Sequence, residues 1–449
     1  MRILLISTYE MGRQPMGLAS PAAWLRQAGH QVTCADLSVT KLPEQIAMSA
    51  ELIALYLPMH TATRLAVQLI PTLRQLNPEA HLCAYGLYAP LNEAYLRELG
   101  IGTILGGEFE PGLTALADAL EVGRTAPLSS VIAPVIAPVI NLDKLRFHVP
   151  DRSDLPSADQ YAHLVQDGLP VLAGYTESSR GCRHFCRHCP VVPVYNGTFR
   201  VVQYDVVLED IRRQVAQGVA HITFGDPDFF NGPAHARRIV ETLHREFPQV
   251  TYDATIKIEH LRKHRQLLPI LKNTGCLFVT TAVEAIDDNV LAILDKGHTH
   301  ADFVAVLAEC RELGLALAPT FIAFTPWTTI ESYREFLAVI RELDLVENVS
   351  PMQLALRLLI PAGSRMLELP DVMAALDGYD APALLHRWKH ADQRVDRLAE
   401  AAMALAGGAG SRRQLFRQFW ELAHGLPMAE DFALMPRATI PYMDEPWYC

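Results

Sequence analysis

Short apolar runs alternate along this chain with longer stretches in which apolar residues recur every third or fourth position. The first pattern marks a buried strand, the second a helix with one face toward a core. In residues 1–125, the runs Arg2–Ser7, Gln31–Leu37, Glu51–Met59, His81–Ala89 and Gly102–Leu105 predict strands. Ser20 is expected to cap the first helix, with Pro21 in its opening turn and Gly29 at its end. A second helix follows Met59, with Leu65, Leu69, Leu73 and Leu76 on one face. Leu91–Leu99 and a segment running through Leu120 predict two more. Strands alternating with helices at this pitch predict an α/β unit, a parallel, doubly wound sheet of about five strands. Ligands of such a sheet bind at the carboxyl ends of its strands, here the loops after Ile6, Met59, Ala89 and Leu105.

Residues 126–170 carry Pro127, Pro134, Pro138, Pro150, Pro156 and Pro170, a composition expected of an extended connector. The strand–helix alternation resumes at Val171. Val171–Thr176, Ala220–Phe224, Tyr252–Ile258, Leu277–Val283, Leu315–Ala323 and Met352–Leu359 predict strands, with helices such as Asp205–Gln217 and Ala234–Phe247 between them. Six such units are fewer than the eight of a closed barrel, so residues 171–370 are expected to form a partial (β/α)6 barrel open on one side. Residues 371–449 are expected to be a helical extension, with Ala383–Leu405 and Arg412–Ala423 capping the barrel ahead of a tail that ends on Cys449.

The chemistry gathers in one loop. Cys182, Cys186 and Cys189 are spaced C-x3-C-x2-C just after the Val171–Thr176 strand, where an α/β barrel keeps its active site. Three thiolates can hold three irons of a [4Fe–4S] cluster and leave the fourth iron open to another ligand. A structural zinc ion usually takes four ligands in two separated pairs, and no second C-x2-C follows, so zinc would need His184 or His188 as its fourth ligand. Cys34, Cys83, Cys276 and Cys310 are scattered and read as small buried hydrophobes.

Composition narrows the setting. At 449 residues, 50% hydrophobic and 20% charged, the chain suits two or three globular domains. A net charge of −11 argues against a nucleic-acid partner, which requires a basic face. The longest apolar run, Val131–Ile140, is broken by Pro134 and Pro138 and falls short of a membrane span. Met1–Ser7 reads as a strand rather than a signal peptide, so a cytoplasmic location is expected, and a disulfide cluster is not.

The cysteine spacing resembles the signature of the radical S-adenosylmethionine (radical SAM) superfamily. In that family the open iron chelates the amino and carboxylate groups of the methionine moiety, and one electron from the cluster breaks a carbon–sulfur bond. The resemblance implies a [4Fe–4S] cluster, S-adenosylmethionine (SAM), a one-electron donor such as flavodoxin or ferredoxin, and a small-molecule substrate. It extends to Gly225-Asp226, in the place of a Gly-Gly-Glu-like segment. It extends also to Ala282–Asp287 with Lys296–Thr299, similar to a V-E-S-x-x-D…K-G-H-T pattern. By this likeness Gly225, Asp226 and Glu284 are expected to meet SAM, with Lys257, Trp327 and Arg357 lining the substrate side. The first unit, ending in Gly106-Gly107-Glu108, resembles the Rossmann-like cobalamin-binding domain that precedes many radical SAM barrels. Its first loop, Ser7–Pro15, lacks the histidine that often ligates cobalt there.

Two related sets are similar in their G-C-x3-C-x2-C-P-V-V-P, F-G-D-P-D-F and F-T-P-W-T-T segments. One is the arsinothricin-biosynthesis radical SAM family, which transfers the 3-amino-3-carboxypropyl group of SAM to arsenic. The other ends in Cys-Cys-Ala-Glu-Pro or its selenocysteine equivalent, which raises the expectation of a UGA selenocysteine codon after Cys449. The main expectation is therefore a radical SAM transferase that moves the aminocarboxypropyl group to a soft element, with Cys449, Lys257 and Glu284 as catalytic candidates. The alternatives are a cobalamin-dependent radical SAM methyltransferase and a non-catalytic zinc- or cobalamin-binding sensor.

Overall fold

A parallel sheet covered by helices on both faces buries its strands along their length, and the apolar runs of the first unit do this. In the computed structural model, which describes residues 1–125, 138–428 and 442–444, this sheet comprises β1 (Arg2–Ser7), β2 (Gln31–Asp36), β3 (Leu52–Tyr56), β4 (His81–Tyr85) and β5 (Thr103–Gly107). A sixth strand, β6 (Val139–Asn141), pairs in parallel with β5 and completes the order β2-β1-β3-β4-β5-β6. The connector thus contributes a strand of its own. The first helix begins at Met16, before the expected Ser20 cap, and runs to Gln27 with Pro21 inside it. Pro21 has no N–H for the Gly17 carbonyl, which instead accepts the Tyr85 hydroxyl at 2.7 Å. Ser20 donates to Glu110 Oε1 at 2.6 Å rather than to the helix backbone.

The second unit opens with the antiparallel pair β7 (His163–Gln166) and β8 (Leu169–Thr176). A short hairpin of β9 (Ser179–Gly181) and β10 (Phe199–Val201) brackets the cysteine loop. Next come β11 (His221–Phe224), β12 (Thr251–Thr255), β13 (Cys276–Glu284) and β14 (Ala316–Phe321), each reached through helices. The sheet order is β14-β13-β12-β11-β8-β7-β17, where β17 is Tyr442–Met443. Strands β8 and β11 to β14 are parallel, so five strand–helix units form an open sheet where six were expected.

The sixth expected strand, Met352–Leu359, is not one. It forms a 3-10 turn at Pro351–Leu354 and touches the sheet through a single Phe324–Arg357 bridge. The Gln353 side chain accepts the Phe321 N–H at 2.9 Å, meeting a donor on β14 that a sixth strand would have paired. Part of the expected Ala383–Leu405 helix is a hairpin, β15 (Leu376–Asp380) with β16 (Leu385–Trp388), and the helix proper is Gln393–Ala406. Leu384, in the left-handed region at φ +57°, breaks any helix there. The helices Gln393–Ala406 and Arg412–His424 insert Val395, Leu398, Phe416 and Phe419 into the core of the second unit. No helix among the described residues is long and apolar enough to cross a membrane.

The two sheets are joined closely. Arg152, in the connector, pairs with Asp210 at 2.9 Å and donates to Gln14 Oε1 at 2.6 Å and to the Tyr175 carbonyl at 2.7 Å. Arg180, on β9, reaches the other way, to Glu110 at 2.7 Å and Glu108 at 3.4 Å.

Candidate active site

Strand β8 delivers the chain to the carboxyl edge of the second sheet, and the cysteine loop follows. Cys182, Cys186 and Cys189 are free thiols, Cys186 buried and the other two partly so. Backbone bonds shape the loop: Cys189 N–H donates to the Cys186 carbonyl at 3.2 Å, and Arg187 N–H to the Leu294 carbonyl at 3.0 Å. Burial pushes the Cys182 thiol up to about 12 and the Cys189 thiol up to about 11. A metal taken up here must therefore displace protons. Three thiols in one loop, with no fourth cysteine beside them among the described residues, match the donor set of an iron–sulfur cluster with one open iron.

Lys257, expected on the substrate side, lies against the cysteines instead. Its ammonium donates to Cys186 Sγ at 3.5 Å and stands 3.6 Å from Glu259. Glu284, at the end of β13, accepts from Lys296 at 3.3 Å and lies 3.1 Å from His188 Nε2. Burial works to raise its carboxyl, but Lys296 and His188 overcome this and hold it down to about 2. Its φ of +72° is a strained value for a side-chain-bearing residue, of the kind that collects at functional sites. The clamp of His188, Glu284 and Lys296 thus fixes the cysteine loop to β13. Glu284 and Trp327 also line a small cavity of about 40 Å³.

Asp226 is fully committed. One carboxylate oxygen accepts from the Ser178 and Ser179 hydroxyls at 2.7 and 2.6 Å, the other from Ser178 N–H at 2.8 Å. Burial nevertheless lifts it to about 7. Its side chain braces the exit of β8, and its neighbour Gly225 packs against the Tyr175 ring at the edge of the cavity between the sheets. A Cβ on Gly225 would come within 1.9 Å of the Tyr175 hydroxyl oxygen, so only glycine lets these loops meet. Arg357 lies away from the cysteines: it pairs with Asp396 at 2.7 Å and stacks 3.6 Å over the Trp388 ring. Cys449 falls outside the described residues.

Between the two sheets is a cavity of about 260 Å³. Glu10, Tyr56, Gly86 and Gly107 line it from the first unit, and Tyr175, Arg180 and Gly225 from the second. Glu10 is buried there with Oε2 lacking a hydrogen-bond partner, and burial together with Glu177 raises its carboxyl well above the usual range. The crevice between β1 and β3, where strand order reverses and doubly wound sheets bind ligands, is filled. A Cβ on Gly17 would lie 2.1 Å from the Tyr56 ring. A ligand of the first unit therefore has to sit above Tyr56, in the shared cavity.

Sequence reasoning did not single out Arg180 or Glu10, and it named His188 only as a possible zinc ligand. A signal existed for the first, since Arg180 directly precedes the Gly181-Cys182 start of the loop. Glu10 lies in the loop where cobalt-ligating histidine was sought and not found.

The sequence profile of the radical SAM superfamily matches residues 176–341. A hopanoid C-3 methylase of Methylococcus capsulatus is 26% identical over 354 residues, 75% of this chain and 66% of the methylase. A bacteriochlorophyllide d C-12(1)-methyltransferase of Chlorobaculum tepidum is 23% identical over 37% of this chain, which spans 35% of that enzyme's length. Among solved structures, the cobalamin-dependent SAM radical enzyme OxsB with aqua-cobalamin bound superposes with a TM-score of 0.69 at 16% identity, over 94% of this chain and 72% of OxsB. The radical SAM methyltransferase TsrM from Kitasatospora setae, with cobalamin and a [4Fe–4S] cluster bound, gives 0.60 at 16% identity, over 76% and 73%. The cysteine loop, the parallel strands behind it and this profile agree: residues 176–341 are a radical SAM domain, one whose cofactors are a [4Fe–4S] cluster and S-adenosylmethionine, set in the fold that OxsB and TsrM share.

Proposed function

We propose that this chain is a radical SAM methyltransferase acting on a small molecule held between its two sheets, with cobalamin as a further cofactor. The observation that carries this reading is the shared cavity, which faces Gly225 and the cysteine loop on one side and the carboxyl ends of the first sheet on the other. Gly86 and Gly107, at the carboxyl ends of β4 and β5, form part of its first-unit wall. Methylase names among the relatives and cobalamin in the solved neighbours point the same way.

Cys182, Cys186 and Cys189 would hold the cluster. When bound, the cluster and SAM supply a one-electron cleavage of a carbon–sulfur bond, and cobalamin a transferable methyl group. The protein's own part is electrostatic and positional. Lys257 offers positive charge and a hydrogen bond to the Cys186 sulfur. The clamp of His188, Glu284 and Lys296 fixes the loop. Glu10, whose carboxyl burial raises well above its usual range, gives the cavity a buried polar group biased toward the protonated form. A flavodoxin or ferredoxin would deliver the electron.

Product analysis tests the reading. Reduced enzyme incubated with SAM and cobalamin is expected to form S-adenosylhomocysteine, and anaerobic preparations to retain cobalt. Methylthioadenosine as the sole nucleoside product would replace methyl transfer with aminocarboxypropyl transfer. A colourless protein carrying one zinc would end both readings.

A further inference from the structure

The cysteine loop, the loop after β11 and the short helix Ile258–Lys263 after β12 bring together side chains that neither the cluster nor the cavity uses. His184 belongs to the cysteine loop, Asp228 follows β11, and His260 follows β12. His184 Nε2, Asp228 Oδ2 and His260 Nδ1 all lie within 4.8 Å of one another. His260 Nδ1 is 2.8 Å from Asp228 Oδ2, and His184 Nε2 is 3.6 Å from it. Asp228 and His260 are almost wholly buried, with side-chain exposures of 0% and 2%, and His184 shows 12%. All three atoms are buried, and outside this trio none has a hydrogen-bond partner. Two imidazole nitrogens converging on one buried carboxylate oxygen, with nothing else to meet them, are unusual in a folded interior.

The outer contacts have the form of a metal site's supporting shell. Asp228 Oδ1 accepts the Phe230 N–H at 3.0 Å, which turns Oδ2 toward the histidines. Glu259 Oε2 lies 3.3 Å from His184 Nδ1, on the far side of that ring from Asp228. A carboxylate behind a histidine is the usual device for fixing the tautomer that presents the other nitrogen to a metal. Two imidazoles and one carboxylate select a transition ion over calcium or magnesium, which prefer oxygen ligands. Tetrahedral bonds of about 2.0–2.2 Å place ligand atoms roughly 3.3–3.6 Å apart, so small adjustments of the rings would close on an ion.

We propose that His184, Asp228 and His260 form a mononuclear site for a divalent transition metal, zinc or ferrous iron, separate from the iron–sulfur cluster. Its ion ties the cysteine loop to the loop after β11 and to the short helix after β12.

Cobalt(II) is the probe, added to the full-length protein after the cluster has been assembled anaerobically. One equivalent is expected to bind, with spin-echo modulation from two imidazole nitrogens and without a sulfur-to-cobalt charge-transfer band. Stoichiometric zinc should displace it. His260→Ala and Asp228→Asn should each weaken cobalt binding at least tenfold while keeping about four irons per chain. Asp228→Asn retains the oxygen that accepts the Phe230 N–H, so it separates loss of the ligand from loss of the loop. Failure to bind cobalt, binding that shows thiolate absorption, or affinity unchanged in both variants would overturn the site. So would loss of the cluster in Asp228→Asn, because the two metals would then not be separate.

Discussion

Lys257 is buried 3.5 Å from Cys186 Sγ, and a donor that close to a cluster ligand favours the reduced, more negative state. Lys257→Met should lower the cluster's reduction potential by roughly 60 mV, the equivalent of one charge-assisted hydrogen bond of about 1.4 kcal/mol. Potentiometric titration followed by electron paramagnetic resonance would read this, and an unchanged potential would remove Lys257 from the cluster's surroundings. At Gly225 the test is steric. Gly225→Ala puts a methyl group where the Tyr175 hydroxyl stands, at 1.9 Å. Relieving that overlap costs about 1–3 kcal/mol and shifts the ring that lines the cavity. SAM binding by calorimetry should weaken about tenfold or more, with iron content unchanged. The cysteine loop is legible because its three thiols lie in one short segment, so spacing alone carries the expectation. The Lys257–Cys186 contact spans 71 residues, and the meeting of His184, Asp228 and His260 depends on how two loops and a short helix are placed. Neither leaves a trace in local pattern. The hold of Ser178 and Ser179 on Asp226 is hidden for a related reason, since these serines lie 48 and 47 residues earlier in the chain.

Among elements, strands read better than helix starts. β1 and the helix Arg412–His424 match their apolar patterns closely, the latter through a capping box at Ser411 and Gln414. The first helix escaped because Pro21 looked like a helix opener, whereas the Tyr85 hydroxyl makes it acceptable inside. Met352–Leu359 has a strand's composition, but Gln353 takes the partner role by its side chain. Such substitutions of side chain for backbone become visible only once the neighbouring strand is placed. Glu284 shows the same dependence, since its left-handed backbone follows a register shift between Ala282 and Glu284 on β13.

At the scale of the molecule, the seam between the sheets titrates. Arg180 lies between Glu108, Glu110 and Glu177, all far from bulk water. Burial, aided by Glu110, raises Glu108 to about 7 despite Arg180 and the Tyr195 hydroxyl that donates to it at 3.1 Å. A carboxyl raised in the fold favours the protonated state. Its contribution is therefore complete below about pH 4.5 and is lost as pH rises through about 7. Glu108→Gln keeps the tyrosine's acceptor and removes the titration. Relative to this variant, the native protein should lose on the order of 3 kcal/mol between pH 4.5 and 7, as measured by urea unfolding at each pH. A difference that stays flat across that range would place Glu108 outside the coupling.

The strand β6 has a consequence for anyone who cuts this protein at its compositional boundary. Residues 1–125 contain every helix and five strands of the first sheet, yet the main-chain groups of Leu105, Gly106 and Gly107 find their partners in Val139–Asn141. Severed ahead of β6, the fragment would carry a bare ribbon of donors and acceptors along β5, the kind of edge that recruits a second copy of itself. Light scattering should find fragment 1–125 self-associated and fragment 1–145 monomeric; a monomeric shorter fragment would contradict this. The sheet is therefore longer than the unit its composition marks, because the connector supplies its last strand.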